Sequence, residues 1–165
     1  MSLGLIISGV IVLLLILAVL LSASKKRQKM NTEYWAPLAR LAEENGCSIT
    51  SRDIWNASVI GIDEQQKFVF FIQKNADGDK KVVLNLAVVF RCKVSELSRT
   101  TGPKEGNLKV FDRIELVITH KDKAKADRSI EIYNASTDRL TLAGELQIAE
   151  KWCGIINNNS AKLNK

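Results

Sequence analysis

Between residues 3 and 23 the chain carries no charged side chain, and its only polar ones, Ser8 and Ser22, stand near the two ends of the run. About 20 such residues, in a helix rising about 1.5 Å each, cover a hydrocarbon core of about 30 Å. Gly4 and Gly9 fit, because glycine is commoner in membrane helices than in soluble ones. Whatever follows this run is therefore expected to fold on one side of a membrane. A secretory signal that is cut away has a basic start, a shorter apolar core and a small-x-small cleavage site. Here only Met1 and Ser2 precede the run, and the charge comes after it, in Lys25, Lys26, Arg27 and Lys29. Ser22-Ala23-Ser24 is the one place to read a cleavage site, and basic residues directly behind it work against export. The segment is expected to stay, as a single-pass signal-anchor over residues 1–24. Positive charge on one flank holds that flank in the cytoplasm. The N-terminus is then outside, the inner membrane is the location, and the soluble part is cytoplasmic. The same four cations are the expected contact with anionic lipid headgroups.

Those cations also account for most of the charge. The net charge is +6, but residues 30–165 hold 20 basic and 18 acidic side chains. This balance points to a membrane surface and away from a nucleic-acid groove. The remaining length suits one ordinary domain. Cys47, Cys92 and Cys153 lie far apart, with no CxxC pair and with His120 as the only histidine. No metal site and no cofactor are expected from such a set. Cys92 and Cys153 fall on apolar faces and read as small hydrophobes kept as thiols in a reducing compartment.

Residues 25–33 are polar and basic and read as a short tether to a domain over residues 34–158. Trp35, Leu38, Leu41 and Ala42 then recur at helical spacing, which predicts a leading helix over residues 33–45 with Thr32 as N-cap, Pro37 in the first turn and Gly46 as the stop. Tyr34 and Trp35 are expected to pack on the domain rather than lie at the headgroups. From Ser51 the texture changes to short β-branched and aromatic runs. DIWNASVIGI, KFVFFIQ, KKVVLNL, VFRCKVSEL, LKVFDRIELVITH and SIEIYN predict six antiparallel strands, with Asp77-Gly78 a tight-turn signal and SRTTGPKEGN a polar loop. Leu142, Leu146, Ala149, Cys153 and Ile156 return to a helical period, widened by Ile148, Trp152 and Ile155, and predict an amphipathic helix from about Leu142. Residues 159–165 read as a frayed, disordered tail.

The fold class expected is α+β: a curved antiparallel sheet or split barrel of about six strands, capped by a C-terminal helix. The run of strands, the VVLNLAVVFRCKV stretch where a strand breaks at Leu-Ala-Val and resumes as the next, and the terminal helix resemble bacterial pleckstrin-homology-like domains over roughly residues 50–158. The whole chain is similar to a single-pass membrane-anchored protein that carries such a domain. It departs from the usual seven-strand pattern of that family, and it adds an N-terminal helix.

Chemistry is sparse. His120 stands at a strand end beside Lys121 and Asp122 with no residue in sequence to orient it as a base, and reads as a solvated histidine. Phosphate-loop, dinucleotide, zincin and hydrolase-elbow motifs are absent from the sequence, and no catalytic residue is expected. Lys121, Lys123, Lys125 and Arg128 form the second basic stretch, a possible ligand loop in which Asp122 and Asp127 dilute the charge. The leading expectation is thus a membrane-tethered cytoplasmic module, not an enzyme, that binds a partner protein by strand addition at an open sheet edge. The alternative is recognition of anionic lipid headgroups, and an enzyme without a recognisable motif comes third.

Overall fold

The computed structural model describes residues 28–100, 109–138 and 142–163. The expected anchor, Lys25, Lys26, Arg27 and the loop with Gly102-Pro103 lie outside the described residues. Among those residues no helix is long and apolar enough to cross a membrane.

The fold is α+β, with two antiparallel sheets and a C-terminal helix. β1 (Ser51–Trp55), β2 (Ser58–Asp63), β3 (Phe68–Gln73) and β4 (Lys80–Asn85) form the first sheet in that order. β5 (Val89–Thr100), β6 (Lys109–His120) and β7 (Arg128–Asn134) form the second. Among the described residues there are seven strands, not six, because DIWNASVIGI is a hairpin rather than one strand. Asn56 turns the chain with φ 44°, in the left-handed region that asparagine tolerates better than most residues. The Leu-Ala-Val break falls where expected: Leu86–Val88 make one 3₁₀ turn between the sheets, opened by Asn85, whose Oδ1 accepts the Ala87 N–H at 2.8 Å. β5 is longer than its sequence texture suggests, since it continues through Ser98, Arg99 and Thr100, whereas β6 keeps the expected extent.

β2 is buried along its whole length and β3 along its middle four residues, because the first sheet is covered on both faces. Its inner face gives Ile60, Ile62, Val69 and Phe71 to a core shared with Ile114, Leu116, Ile118 and Ile132 of the second sheet. Its outer face gives Val59, Phe70 and Ile72 to a separate cluster under the leading helix, with Leu38 and Ala42. That helix approaches closely at Gly61, where an added Cβ would lie 2.9 Å from Leu38 Cδ2 and 3.0 Å from Ile49 Cγ2. Trp35 and Tyr34 pack against this cluster as expected, with the Arg52 guanidinium 4.5 Å from the Trp35 ring centre.

The leading helix starts earlier than its apolar spacing implies. Residues 28–30 are already helical, so the expected tether is helical over the part described. Thr32 is inside the helix, its Oγ1 donating to the Gln28 carbonyl at 3.1 Å, rather than capping it. Pro37 supplies no N–H and its ring crowds the preceding turn, and Asn31–Trp35 widen into a π turn in which the Ala36 N–H bonds the Asn31 carbonyl. α1 (Ala36–Glu43) follows, and stops as predicted at Gly46, with φ 69°. There the N–H groups of Gly46 and Cys47 bond the Glu43 and Ala42 carbonyls, each at 2.9 Å.

α2 (Glu145–Lys162) begins three residues later than expected, behind Gly144 at φ 116°. It lays Ala149, Trp152 and Ile156 into the core between the sheets. Residues 159–162, expected in the tail, are its last turn; Asn159 and Ser160 are buried, and Asn159 Oδ1 accepts from Lys67 Nζ at 2.8 Å. Two indole bonds lock the assembly. Trp55 Nε1 donates to the Ile132 carbonyl at 2.8 Å, tying β1 to β7, and Trp152 Nε1 donates to Asp53 Oδ2 at 2.8 Å, tying α2 to β1.

Asp63 organises the β2–β3 turn. Burial alone would raise its carboxyl, but the N–H groups of Gln66, Ser48 and Gln65 together hold it below the ordinary aspartate value. A folded-state value below the unfolded one, which is about 3.9, stabilises the fold at pH above the unfolded value, and this stabilisation disappears as pH falls through the folded value. Urea titrations from pH 6 downward should therefore show wild type losing more stability below about pH 4 than Asp63→Asn does. Parallel curves would contradict this role.

Candidate functional site

Two surfaces stand out, at opposite ends of the β5–β6 pair. The first is the outer edge of β5. Among the described residues that strand pairs only with β6, so its other edge is open unless something covers it. At Cys92 the helix does: Asn157 Oδ1 accepts the Cys92 N–H at 2.8 Å and Asn157 Nδ2 donates to the Cys92 carbonyl at 2.9 Å. A side-chain amide here takes the place of a neighbouring strand. The main-chain groups of every second residue point the same way, so those of Val94 and Glu96 face outward as Cys92 does. Beyond Val94 no helix or strand among the described residues lies along the edge, and residues 95–100 are all exposed. Leu97 is 62 % exposed and Phe90 is 66 % exposed, the two largest exposures among the exposed large hydrophobics. Leu97 and Arg99 also line an open groove of about 350 Å³ with Asp112 and Arg113 of β6 and residues 134–136. An open edge that carries the exposed Leu97 is suited to pairing with another chain.

The second surface is a cavity of about 430 Å³ where the end of β4, the 3₁₀ turn, the end of β6 and the start of β7 meet. Val83, Leu84, Val88 and Ala126 supply its apolar wall, and Asn85, His120, Lys125 and Arg128 its polar one. His120 is not the solvated strand-end histidine that its neighbours in sequence suggest. It is 9 % exposed, and its Nδ1 has no hydrogen-bond partner. Its burial follows from register: His120 continues the inward set Ile114, Leu116 and Ile118 and lies opposite Val89.

The structure splits the basic stretch that the sequence grouped. Lys125 and Arg128 line the cavity. Lys121 is held at the 3₁₀ turn, its Nζ donating to the Ala87 carbonyl at 2.5 Å and its N–H to the Val88 carbonyl at 2.9 Å. Lys123 is exposed and outside the lining. The two acids are turned to local bonds, Asp122 accepting the Ala124 N–H at 3.0 Å and Asp127 the Thr119 hydroxyl at 3.2 Å. Of Lys25, Lys26, Arg27 and Lys29 only Lys29 is described, exposed on the helix before the π turn.

The cysteines are free thiols. Burial, with Cys153 beside it, pushes the Cys92 thiol up, and burial with the Asp63 charge does the same to Cys47. Neither is set up as a nucleophile. The Cys153 thiol donates to the Cys92 carbonyl at 3.3 Å, next to the Asn157 bridge. Among the described residues no group of three or more histidine, cysteine or carboxylate side chains is placed to hold a metal. No family model, no curated protein and no solved structure matches the chain.

Proposed function

We propose that the chain is a pleckstrin-homology-like binding module, held at the inner face of a membrane by its N-terminal segment, that receives an extended segment of a partner protein along the outer edge of β5. The observation that carries this reading is the division of that edge at Cys92. On one side α2 closes it through Asn157, and on the other the exposed strand of residues 95–100 continues uncovered. Support for the family reading comes from seven strands in sheets of four and three with a terminal helix against their shared core. The uncharged run and the four cations behind it support the tether. Each such cation adds about 1 kcal/mol of attraction to an anionic leaflet, which orients the module without selecting a ligand. In strand addition the main chain supplies the affinity and side-chain pockets the selectivity; Leu97 and its groove are the anchor here.

Glu96→Pro tests this. Proline removes the outward N–H of Glu96 and leaves the β6 ladder intact. With a photo-reactive residue at position 97 of the full chain in its native membrane, cross-links to one partner protein are expected, and Glu96→Pro should reduce them by about tenfold, the equivalent of one or two lost hydrogen bonds. A probe at position 81, on the edge strand of the other sheet, should give none of these links. Links that persist undiminished in Glu96→Pro, or none at all from position 97, overturn strand addition at β5.

A further inference from the structure

Cys92 and Cys153 are 61 positions apart in the chain, and the packing of α2 on β5 makes them neighbours. The Cys153 thiol donates to the Cys92 carbonyl at 3.3 Å, and the two thiols are close enough to hydrogen-bond each other. We infer that they form a redox modification site, at which a low-molecular-weight disulfide of the glutathione class converts the two thiols into a Cys92–Cys153 disulfide joining α2 to β5. The site stands on the contact between that helix and that strand, and does not rest on the strand-addition reading.

The surroundings of the two sulfurs put the chemistry in order. Cys92 is 1 % exposed, so an incoming reagent does not meet it first. Cys153 is only part-buried, and the helix surface beside it is open: a Cβ added at Gly154 would meet no heavy atom within 4 Å. A reachable thiol with a second one behind it is the arrangement of a redox-sensing pair. Cys153 attacks one sulfur of the small disulfide, forms a mixed disulfide and releases one small thiol. Cys92 then attacks the Cys153 sulfur, displaces the other small thiol and closes the internal bond. The pair gives up two electrons and two protons, and one small disulfide becomes two small thiols. Burial keeps the Cys92 thiol protonated, which makes the second step the slow one; contact with Cys153 is what carries it forward. Asn157 Nδ2 reaches Cys153 Sγ at 3.5 Å as well as the Cys92 carbonyl at 2.9 Å, so one amide holds both cysteines in place. Cys47 lies apart, in the cluster under the leading helix. The product replaces a hydrogen-bonded closure of the β5 edge with a covalent one, and a bond across so long a loop strongly restricts the unfolded chain.

To test this, the reduced full chain in uncharged detergent is treated with oxidised glutathione, quenched in acid and mapped by mass spectrometry. A transient glutathione adduct on Cys153 is expected first, followed by a linked Cys92–Cys153 peptide, with Cys47 still a free thiol. Cys92→Ala should stop at the adduct, and Cys153→Ser should slow all modification by at least about tenfold, since the remaining thiols are buried. In urea the unfolded wild-type chain should lose the preference and give all three pairings. The oxidised chain should unfold at a higher urea concentration than the reduced one, and dithiothreitol should remove the difference. No reaction before unfolding, a first adduct on Cys92 or Cys47, an adduct on Cys153 that never passes to Cys92, a linkage through Cys47, or an oxidised chain that unfolds no later than the reduced one would each overturn the site.

Discussion

Trp152→Ala is expected to remove about 3–5 kcal/mol of stability, a large part of the roughly 5–15 kcal/mol that holds a domain of this kind folded. The indole is completely buried, and its removal leaves a cavity where α2 meets both sheets. The polar end adds to the loss, because Asp53 Oδ2 accepts both Trp152 Nε1, at 2.8 Å, and Lys151 Nζ, at 2.6 Å. Without the indole, Asp53 depends on an exposed lysine, an ion pair of little net value. Trp152→Phe separates the two contributions, since it keeps most of the apolar volume and gives up the N–H, and should cost less than half as much. Urea unfolding of the full chain in uncharged detergent, followed by circular dichroism, measures both. A loss below about 1 kcal/mol for Trp152→Ala would mean that α2 does not hold the sheets together.

Closing the gap between the sheets with one helix also explains why the candidate surfaces lie where they do. α2 spends its apolar side on the shared core and its polar side on particular main-chain groups: Asn157 on Cys92, Asn159 with Lys67, Glu145 with Asn56. Each bond closes one stretch of sheet margin near the helix. The far half of β5 is beyond the helix's reach, and so is the corner where β6 ends. Among the described residues nothing covers those two places, one an edge and one a cavity.

Much of this frame was legible in the residues. The alternation in LKVFDRIELVITH, the break at Leu-Ala-Val and the helical spacing of Ala149, Trp152 and Ile156 each report a local period, and each appears in the structure. The β1–β2 hairpin was hidden because its turn rests on Asn56 at positive φ, without glycine or proline to mark it. The early start of the leading helix was hidden because residues 28–34 are mostly polar and show no apolar stripe. His120 is the instructive case. Its immediate neighbours are charged and suggested solvent, yet strand parity with Ile114, Leu116 and Ile118 pointed inward, and parity is the stronger signal in a strand with one buried face. What no pattern showed is the arrival of β4 and the 3₁₀ turn beside it, which makes the inward position a cavity wall. The Asn157 bridge was equally invisible, since an asparagine late in a helix reads as fraying until an edge strand is placed next to it.

The separate covering of the first sheet's two faces makes neighbouring residues answer differently to the same substitution. Phe70 and Phe71 are adjacent, both fully buried, and point to opposite faces, Phe70 into the cluster under the leading helix and Phe71 into the core between the sheets. Each change to alanine is expected to cost about 3–5 kcal/mol, but with different consequences. Phe71 stacks on Trp55 with ring centres 6.0 Å apart, and Phe71→Ala should lower the stability of both sheets and α2 together. Phe70→Ala removes the floor on which Leu38 and Ala42 rest, so the leading helix should open first while the sheet core stays protected. Hydrogen exchange distinguishes them: Phe70→Ala should speed exchange at residues 38–43 well before residues 114–118, and Phe71→Ala should speed both. Equal acceleration in the two variants would mean that the helix and the sheets form one cooperative unit. The helix could then not yield on its own. A helix that opens alone would leave the core between the sheets, and the β5 edge with it, intact.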